Sequence, residues 1–279
     1  MSVSEHAGQL ADAADLVDVD ALIGAYFDER PDPSVEGQRV AFGTSGHRGT
    51  STARTFNEDH VLAITEAICR YRKEQGIDGP LFLGRDTHAL SEPATQSIVE
   101  VLCAHGVDVM VDADDGFTPT PAVSHAILTH NRNPTPPNPG TADGIVVTPS
   151  HNPPQDGGVK YNPPHGGPAD TDVTGWMQRE ANALLENGLR DVKRTKDRDS
   201  VHRHDYVTAY VDDLPAVIDL GAIRDSGLRL GVDPLGGASV AYWAAIAERH
   251  GLDLTITNDQ VDPTFRFVPR DWDGKIRMD

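Results

Sequence analysis

Between residues 148 and 164 the chain reads Thr148-Pro-Ser-His-Asn-Pro-Pro-Gln-Asp-Gly-Gly-Val-Lys-Tyr-Asn-Pro-Pro164. A hydroxyl (Ser150) directly follows a predicted strand end, beside an imidazole (His151), with an ammonium (Lys160) ten residues on. Pro149, Pro153 and Pro154 fix φ and stiffen the path, while Gly157 and Gly158 permit a turn that returns Lys160 towards Ser150. An exposed serine suits two chemistries. Acyl transfer needs a base and an oxyanion hole; phosphoryl transfer needs positioning and positive charge. Ser150 is flanked by Pro149 and His151, so the G-x-S-x-G nucleophile elbow is absent and acyl transfer loses ground. Taken alone, the string also fits a turn whose polar side chains cap one another.

A second candidate is Phe42-Gly-Thr-Ser-Gly-His-Arg-Gly49, whose glycines Gly43, Gly46 and Gly49 let backbone N–H groups approach an anion. Arg48 and Lys160 would offset the charge that phosphoryl transfer builds on non-bridging oxygens. They would do so in an acidic protein, since 24 Lys and Arg stand against 43 Asp and Glu among 279 residues, a net charge of −19. Such a chain repels phosphate backbones and anionic membranes, which excludes nucleic acid as a natural partner. Gly84-Arg-Asp86 follows a predicted buried strand, so Arg85 and Asp86 either support the site or pair with each other.

Rival motifs fail. Gly231-Val-Asp-Pro-Leu-Gly-Gly-Ala238 has P-loop glycine spacing but puts Gly237 and Ala238 where Lys and Ser/Thr must stand, and reads instead as a strand-to-helix turn. His202 and His204 are expected to be solvated. Cys69 and Cys103 stand apart in helical stretches and read as buried reduced thiols. The longest apolar run, Val240 to Ala247, is far short of the roughly 20 residues that span a bilayer. With no basic-then-apolar leader, the expected location is cytoplasmic.

The elements that must position these residues alternate. Helices are predicted behind Asp18, from Glu58 to Gln75 between Asn57 and Gly76, over Glu92–His105, over Ala122–Leu128 and from about Asp172. Strands are predicted at Leu81–Gly84, Val107–Val111 and Gly144–Val147. The glycine-rich 43–49 stretch and the whole of 148–168 are expected to be loops, 133–140 a proline-rich surface excursion, and Arg190–Ser200 a linker. A strand at Leu228–Val232, a helix through Glu248 and a strand at Leu252–Thr257 then make one strand-helix-strand unit. The fold class is α/β: a mixed sheet layered with helices, followed by an incomplete second α/β domain. The expected division is a helical extension over 1–40, a first domain over 41–195 and part of a second over 196–279.

Taken together, Phe42–Gly49, Gly84–Asp86, Thr148–Pro164 and Asp233-Pro-Leu-Gly-Gly-Ala-Ser239 closely resemble the α-D-phosphohexomutases, and among them the bacterial glucose-specific members. The resemblance runs in order from about residue 20 to the last residue. It implies that Ser150 carries a phosphate given to one hydroxyl of a hexose phosphate and recovered from another through glucose 1,6-bisphosphate. It places His151 and Lys160 in the active site, Lys160 as the favoured proton-transfer group, Arg48 beside the phosphoserine, and Thr44 and Ser45 close by. Gly46 and Arg85 join these as candidate phosphate-binding residues. The resemblance further implies an activating Mg²⁺ bound through the Ser150 phosphate and a D-x-D-x-D loop.

That loop does not occur between residues 1 and 279; Asp271-Trp-Asp273-Gly lacks the third carboxylate and reads as a surface turn. The chain therefore corresponds to the phosphoserine domain and part of the metal domain. Its expected activity is the interconversion of glucose 1-phosphate and glucose 6-phosphate, with phosphomannomutase as the alternative sugar and a truncated, non-catalytic phosphoprotein as the alternative of another class. No oligomeric state is specified. Loss of the cation should cost several kcal/mol of transition-state stabilisation. The 279-residue chain alone is thus expected to give little or no turnover of glucose 1-phosphate in a coupled assay; robust turnover would refute this.

Overall fold

The computed structural model describes residues 3–43, 46–132 and 140–278. Two predicted features, Thr44 with Ser45 and most of the proline-rich 133–140 stretch, lie outside the described residues. Strands β1 (Phe42–Gly43), β2 (Gly46–Thr50), β3 (Leu81–Arg85), β4 (Val109–Asp112), β5 (Asp143–Val147), β6 (Asp156–Asn162) and β7 (Val201–His204) form one sheet in the order β1-β2-β6-β5-β3-β4-β7. The β5, β3, β4 and β7 side is parallel. The β1, β2, β6 and β5 side is antiparallel, so the sheet is mixed as expected.

The apolar runs explain the layers. Leu81-Phe-Leu83 and Ile145-Val-Val147 are buried on both faces, as central strands covered by helices must be. Leu81, Leu83, Ile145 and Val147 face a core built with α2 (Glu58–Gln75), α3 (Ser91–Ala104) and α5 (Thr171–Glu186). Phe82 and Val146 point the other way, into a core with α4 (Thr120–Arg132), α6 (Tyr206–Asp213) and α8 (Val240–His250). Helix α1 (Val19–Asp28) starts on the Asp18 cap, whose carboxylate accepts from Ala21 N, and buries Leu22 and Tyr26 in the first core. Helix α2 ends on Gly76, at φ 65°.

Three expectations change. Residues 148–168 are not one long loop: Asp156–Asn162 is strand β6, paired with both β5 and β2. Gly157 and Gly158 therefore do not make the turn, which lies at 148–155. They are glycines because a Cβ at Gly157 would meet the Phe56 ring at 2.4 Å, and one at Gly158 would meet Thr148 O at 2.3 Å. Likewise Gly43 and residues 46–49, expected in a loop, belong to β1 and β2. Glycines and polar residues without an alternating apolar set hide the period-2 signal in both places. Finally, His204 is not solvated; its ring packs 4.6 Å from that of Tyr206 and 5.2 Å from that of Phe82. His202 is exposed and pairs with Asp108 at 2.9 Å.

The chain past the linker returns to the first sheet before leaving it. Strand β7 extends the β4 edge, and Tyr206 of α6 donates to Met110 O at 2.8 Å. After α7 (Leu220–Asp225), strands β8 (Leu230–Val232) and β9 (Leu254–Ile256) pair in parallel around α8, which is the expected strand-helix-strand unit. The amino-terminal segment lies on the last residues: Gly8 N donates to Arg270 O and Arg270 N to Gln9 O. Among the described residues no helix is long and apolar enough to cross a membrane.

A buried ion pair ties the layers at the sheet's centre. The Arg72 guanidinium of α2 meets the fully buried Asp143 carboxylate at the start of β5, which also accepts from Tyr161 of β6 at 2.7 Å. Removing one partner strands the other charge in low dielectric. We expect Arg72→Met to cost about 3–5 kcal/mol, read as a lowered denaturant midpoint; an unchanged midpoint would show that the pair contributes nothing to the fold.

Candidate active site

Strand β5 delivers the chain at Val147 to the turn carrying Ser150. Thr148 N donates to Gly158 O at 2.9 Å, so the turn leaves β5 still paired to β6, and Asp156 N returns it by donating to Pro153 O at 3.0 Å. Ser150 is exposed and its backbone is left-handed, at φ 71°. For a serine this conformation is uncommon and costs on the order of 1 kcal/mol or more, persisting where neighbouring bonds over-determine it. One such bond is Ser150 N to Thr148 Oγ1, 2.9 Å.

Ser150 and Lys160 line one cavity of about 280 Å³, together with Asp86, His88, Thr118, Thr120, Gly237 and Phe265. The β5–β6 register sets Lys160 there by pairing it with Val146. Arg48 stands opposite Gly158 on β2, one strand further out. Gly46, at φ 136°, lets β2 lie against Lys160, since a Cβ would fall 2.8 Å from Lys160 Cγ and 2.4 Å from Val159 O. Burial first, and then the charge of Arg48, pull the Lys160 ammonium below the usual lysine range, with Asp86 opposing. Two cations on adjacent strands make an anion-attracting spot, and one of them can give up a proton.

Among the other expected residues, His151 is exposed, and its carbonyl accepts from Met278 N at 3.4 Å. Arg85 is not brought to Ser150. As the last residue of β3 it points to the opposite face from Asp86, where it pairs with Glu92, donates to Asp115 O and lines a separate cavity of about 410 Å³. Nor do Arg85 and Asp86 pair with each other. The Asp86 carboxylate accepts from His88 Nδ1 (2.9 Å), His88 N (3.0 Å) and Ser91 Oγ (2.5 Å). Burial would raise it, but His88, Ser91 and Thr148 outweigh burial and hold it below the usual carboxylate range.

His88 and Thr148 escaped sequence reasoning, and the signal for His88 was available. A histidine two residues after the acid of a strand-end Gly-Arg-Asp can fold back onto that acid. The 118–121 stretch, Thr-Pro-Thr-Pro, also lines the cavity as it enters α4; its prolines suit a helix start.

The oxygen donors here do not make a Mg²⁺ cage. A hard cation wants about six oxygens, and Asp86, the single carboxylate among the described residues lining the cavity, is already engaged by His88 and Ser91. No group of three His, Cys, Asp or Glu side chains among the described residues could hold a metal. Asp271 and Asp273 sit in a turn closed by Asp271 N to Lys275 O at 2.8 Å, with Asp273 accepting from Arg277 at 2.6 Å.

The sequence and the fold have known counterparts. Residues 39–187 match the family model for domain I, the α/β/α domain, of phosphoglucomutases and phosphomannomutases. The whole chain is 56% identical to half of a phosphoglucomutase from Komagataeibacter xylinus. Over 79% of its length it is 32% identical to a phosphoglucosamine mutase from Thermobifida fusca, of which it covers 45%. In fold it is similar to the open form of parafusin, a phosphoglucomutase from Paramecium, with a TM-score of 0.64 at 23% identity over 87% of this chain and 46% of that one. The chain thus spans about half the length of the relatives it matches. With the domain I match covering more than half of its residues, this chain belongs to the phosphoglucomutase/phosphomannomutase family.

Proposed function

We propose that this chain carries the phosphoserine machinery of an enzyme interconverting glucose 1-phosphate and glucose 6-phosphate. The observation that carries the reading is Ser150, exposed on a left-handed turn, lining one cavity with Lys160 and flanked by Arg48's strand. The 56% identity to a protein named phosphoglucomutase supports glucose as the sugar. The domain division at residues 40 and 195, the roles of Thr44 and Ser45, and a cytoplasmic location belong to the same reading.

In the forward step the bond between Ser150 Oγ and phosphorus breaks as a bond from a sugar hydroxyl oxygen to phosphorus forms. That hydroxyl gives its proton to the neutral amine of Lys160, and Ser150 Oγ takes up a proton from His151 as it leaves. The bisphosphorylated sugar turns over, the second phosphate passes to Ser150 Oγ as the serine hydroxyl returns its proton to His151, and Lys160 returns its proton to the freed sugar oxygen. Arg48 offsets charge on the non-bridging oxygens in a protein that is otherwise repulsive to anions. His151, exposed beside Ser150, is a second proton carrier.

Ser150→Ala should abolish phosphate uptake. The test is intact mass and peptide mapping of protein expressed from the complete gene after incubation with glucose 1,6-bisphosphate: one phosphate on Ser150 is expected, and none in the variant. Phosphate on another residue, or on neither protein, would overturn the assignment. The pH dependence has a definite sign. Because the Lys160 ammonium loses its proton below the usual lysine range, transfer should rise with pH and level off earlier than for an ordinary lysine. Lys160→Arg, which stays protonated, should flatten that limb and lower the rate by about 10²-fold or more. A wild-type-like pH profile in Lys160→Arg would remove Lys160 from proton transfer.

A further inference from the structure

The turn that carries Ser150 is tied down on both sides by one buried pair that the proposed transfer does not use. Two residues before Ser150, Thr148 Oγ1 accepts from Ser150 N, and the Thr148 side chain reaches the Asp86 carboxylate. Two residues after it, Asn152 O accepts from His88 Nε2 at 3.0 Å. The other ring nitrogen of His88, Nδ1, faces Asp86 Oδ2 at 2.9 Å. His88 is 5% exposed and its ring lies 5.0 Å from that of Phe265.

This geometry fixes the protonation state of the ring. A carbonyl oxygen and an ionised carboxylate both accept, so each nitrogen must donate, and the ring that satisfies both is the imidazolium. Burial works against the charged form, but Asp86, then the Asn152 carbonyl and the more distant Asp156, raise His88 above its ordinary value. A charge-assisted bond is also the stronger tether. Asp86 is itself anchored at the end of β3, its N–H donating to Val147 O at 3.0 Å. The ion pair therefore connects the rigid centre of the sheet to both flanks of a strained turn.

We propose that His88, protonated on both ring nitrogens, is a positioning residue that brackets Ser150 with Asp86 and holds its left-handed turn ready for phosphoryl transfer. The part concerning transfer rests on the function proposed above; the part concerning the turn does not.

The test uses protein from the complete gene, wild type and His88→Gln, whose N–H donors sit on a single nitrogen and cannot span the two acceptors on opposite sides of the ring. Nitrogen-15 NMR of the wild-type ring should show both nitrogens protonated at neutral pH, a readout that needs no variant and that a merely space-filling histidine would not give. In His88→Gln, amide exchange at 150–152 should speed up while the rest of the sheet keeps its protection. Phosphate uptake at saturating glucose 1,6-bisphosphate should fall about 10–100-fold, the scale expected when a reacting group is misplaced by about 1 Å, with the half-saturating concentration unchanged. A singly protonated wild-type ring, unchanged amide exchange, or uptake equal to wild type would each overturn the proposal. A wild-type protein that takes up no phosphate would instead sink the transfer reading, leaving the ring and exchange measurements to decide the role of His88 in the turn.

Discussion

Antiparallel pairing of β5 with β6 is the constraint on which the site depends. β5 ends at the serine turn and β6 carries the lysine, so one hairpin supplies both the hydroxyl and the ammonium, and their register is fixed by Val146 opposite Lys160. The hairpin closes this tightly because its second strand carries two glycines directly after Asp156. At Gly158 a methyl group would occupy the space of the Thr148 carbonyl. A one-residue slip would turn Lys160 to the opposite face of the sheet. Precision at the serine thus comes from backbone pairing with a fully buried strand, β5.

Around that hairpin the electrostatics are local and opposed to the global charge. The molecule is strongly acidic, yet β2 and β6 place an arginine and a lysine on neighbouring strands, close enough for one to lower the proton affinity of the other. The carboxylate that opposes this at Lys160, Asp86, is itself engaged by His88 and Ser91. A phosphate in the cavity would meet positive charge carried on two adjacent strands, and the acidic exterior discourages anions elsewhere.

Much of this was legible in the chain. The apolar runs 81–83 and 145–147 identified the central strands, Asn57 and Gly76 bounded α2, and the Thr-Pro-Ser-His-Asn-Pro string pointed to Ser150. What stayed hidden has physical reasons. β6 and β2 are rich in glycine and polar residues, with no room for a Cβ at Gly46, Gly157 and Gly158, so they lack the alternation that marks a strand. Arg85 and Asp86 are neighbours in sequence but face opposite sides of the sheet, so a motif that treats them as a unit misplaces one. The role of His88 depends on a carbonyl 64 residues away, which no local pattern encodes.

The return of the chain to the first sheet bears on how this protein can be divided. Strand β7 covers the β4 edge, and Tyr206 seals the face formed by Phe82 and Met110. A fragment cut in the charged linker at residue 195 would therefore present an uncovered strand edge beside a bare aromatic surface, the combination that recruits foreign strands. An excised module carrying Ser150 that stays dispersed must keep its chain through α6, past Asp213, some twenty residues beyond that cut in the charged linker.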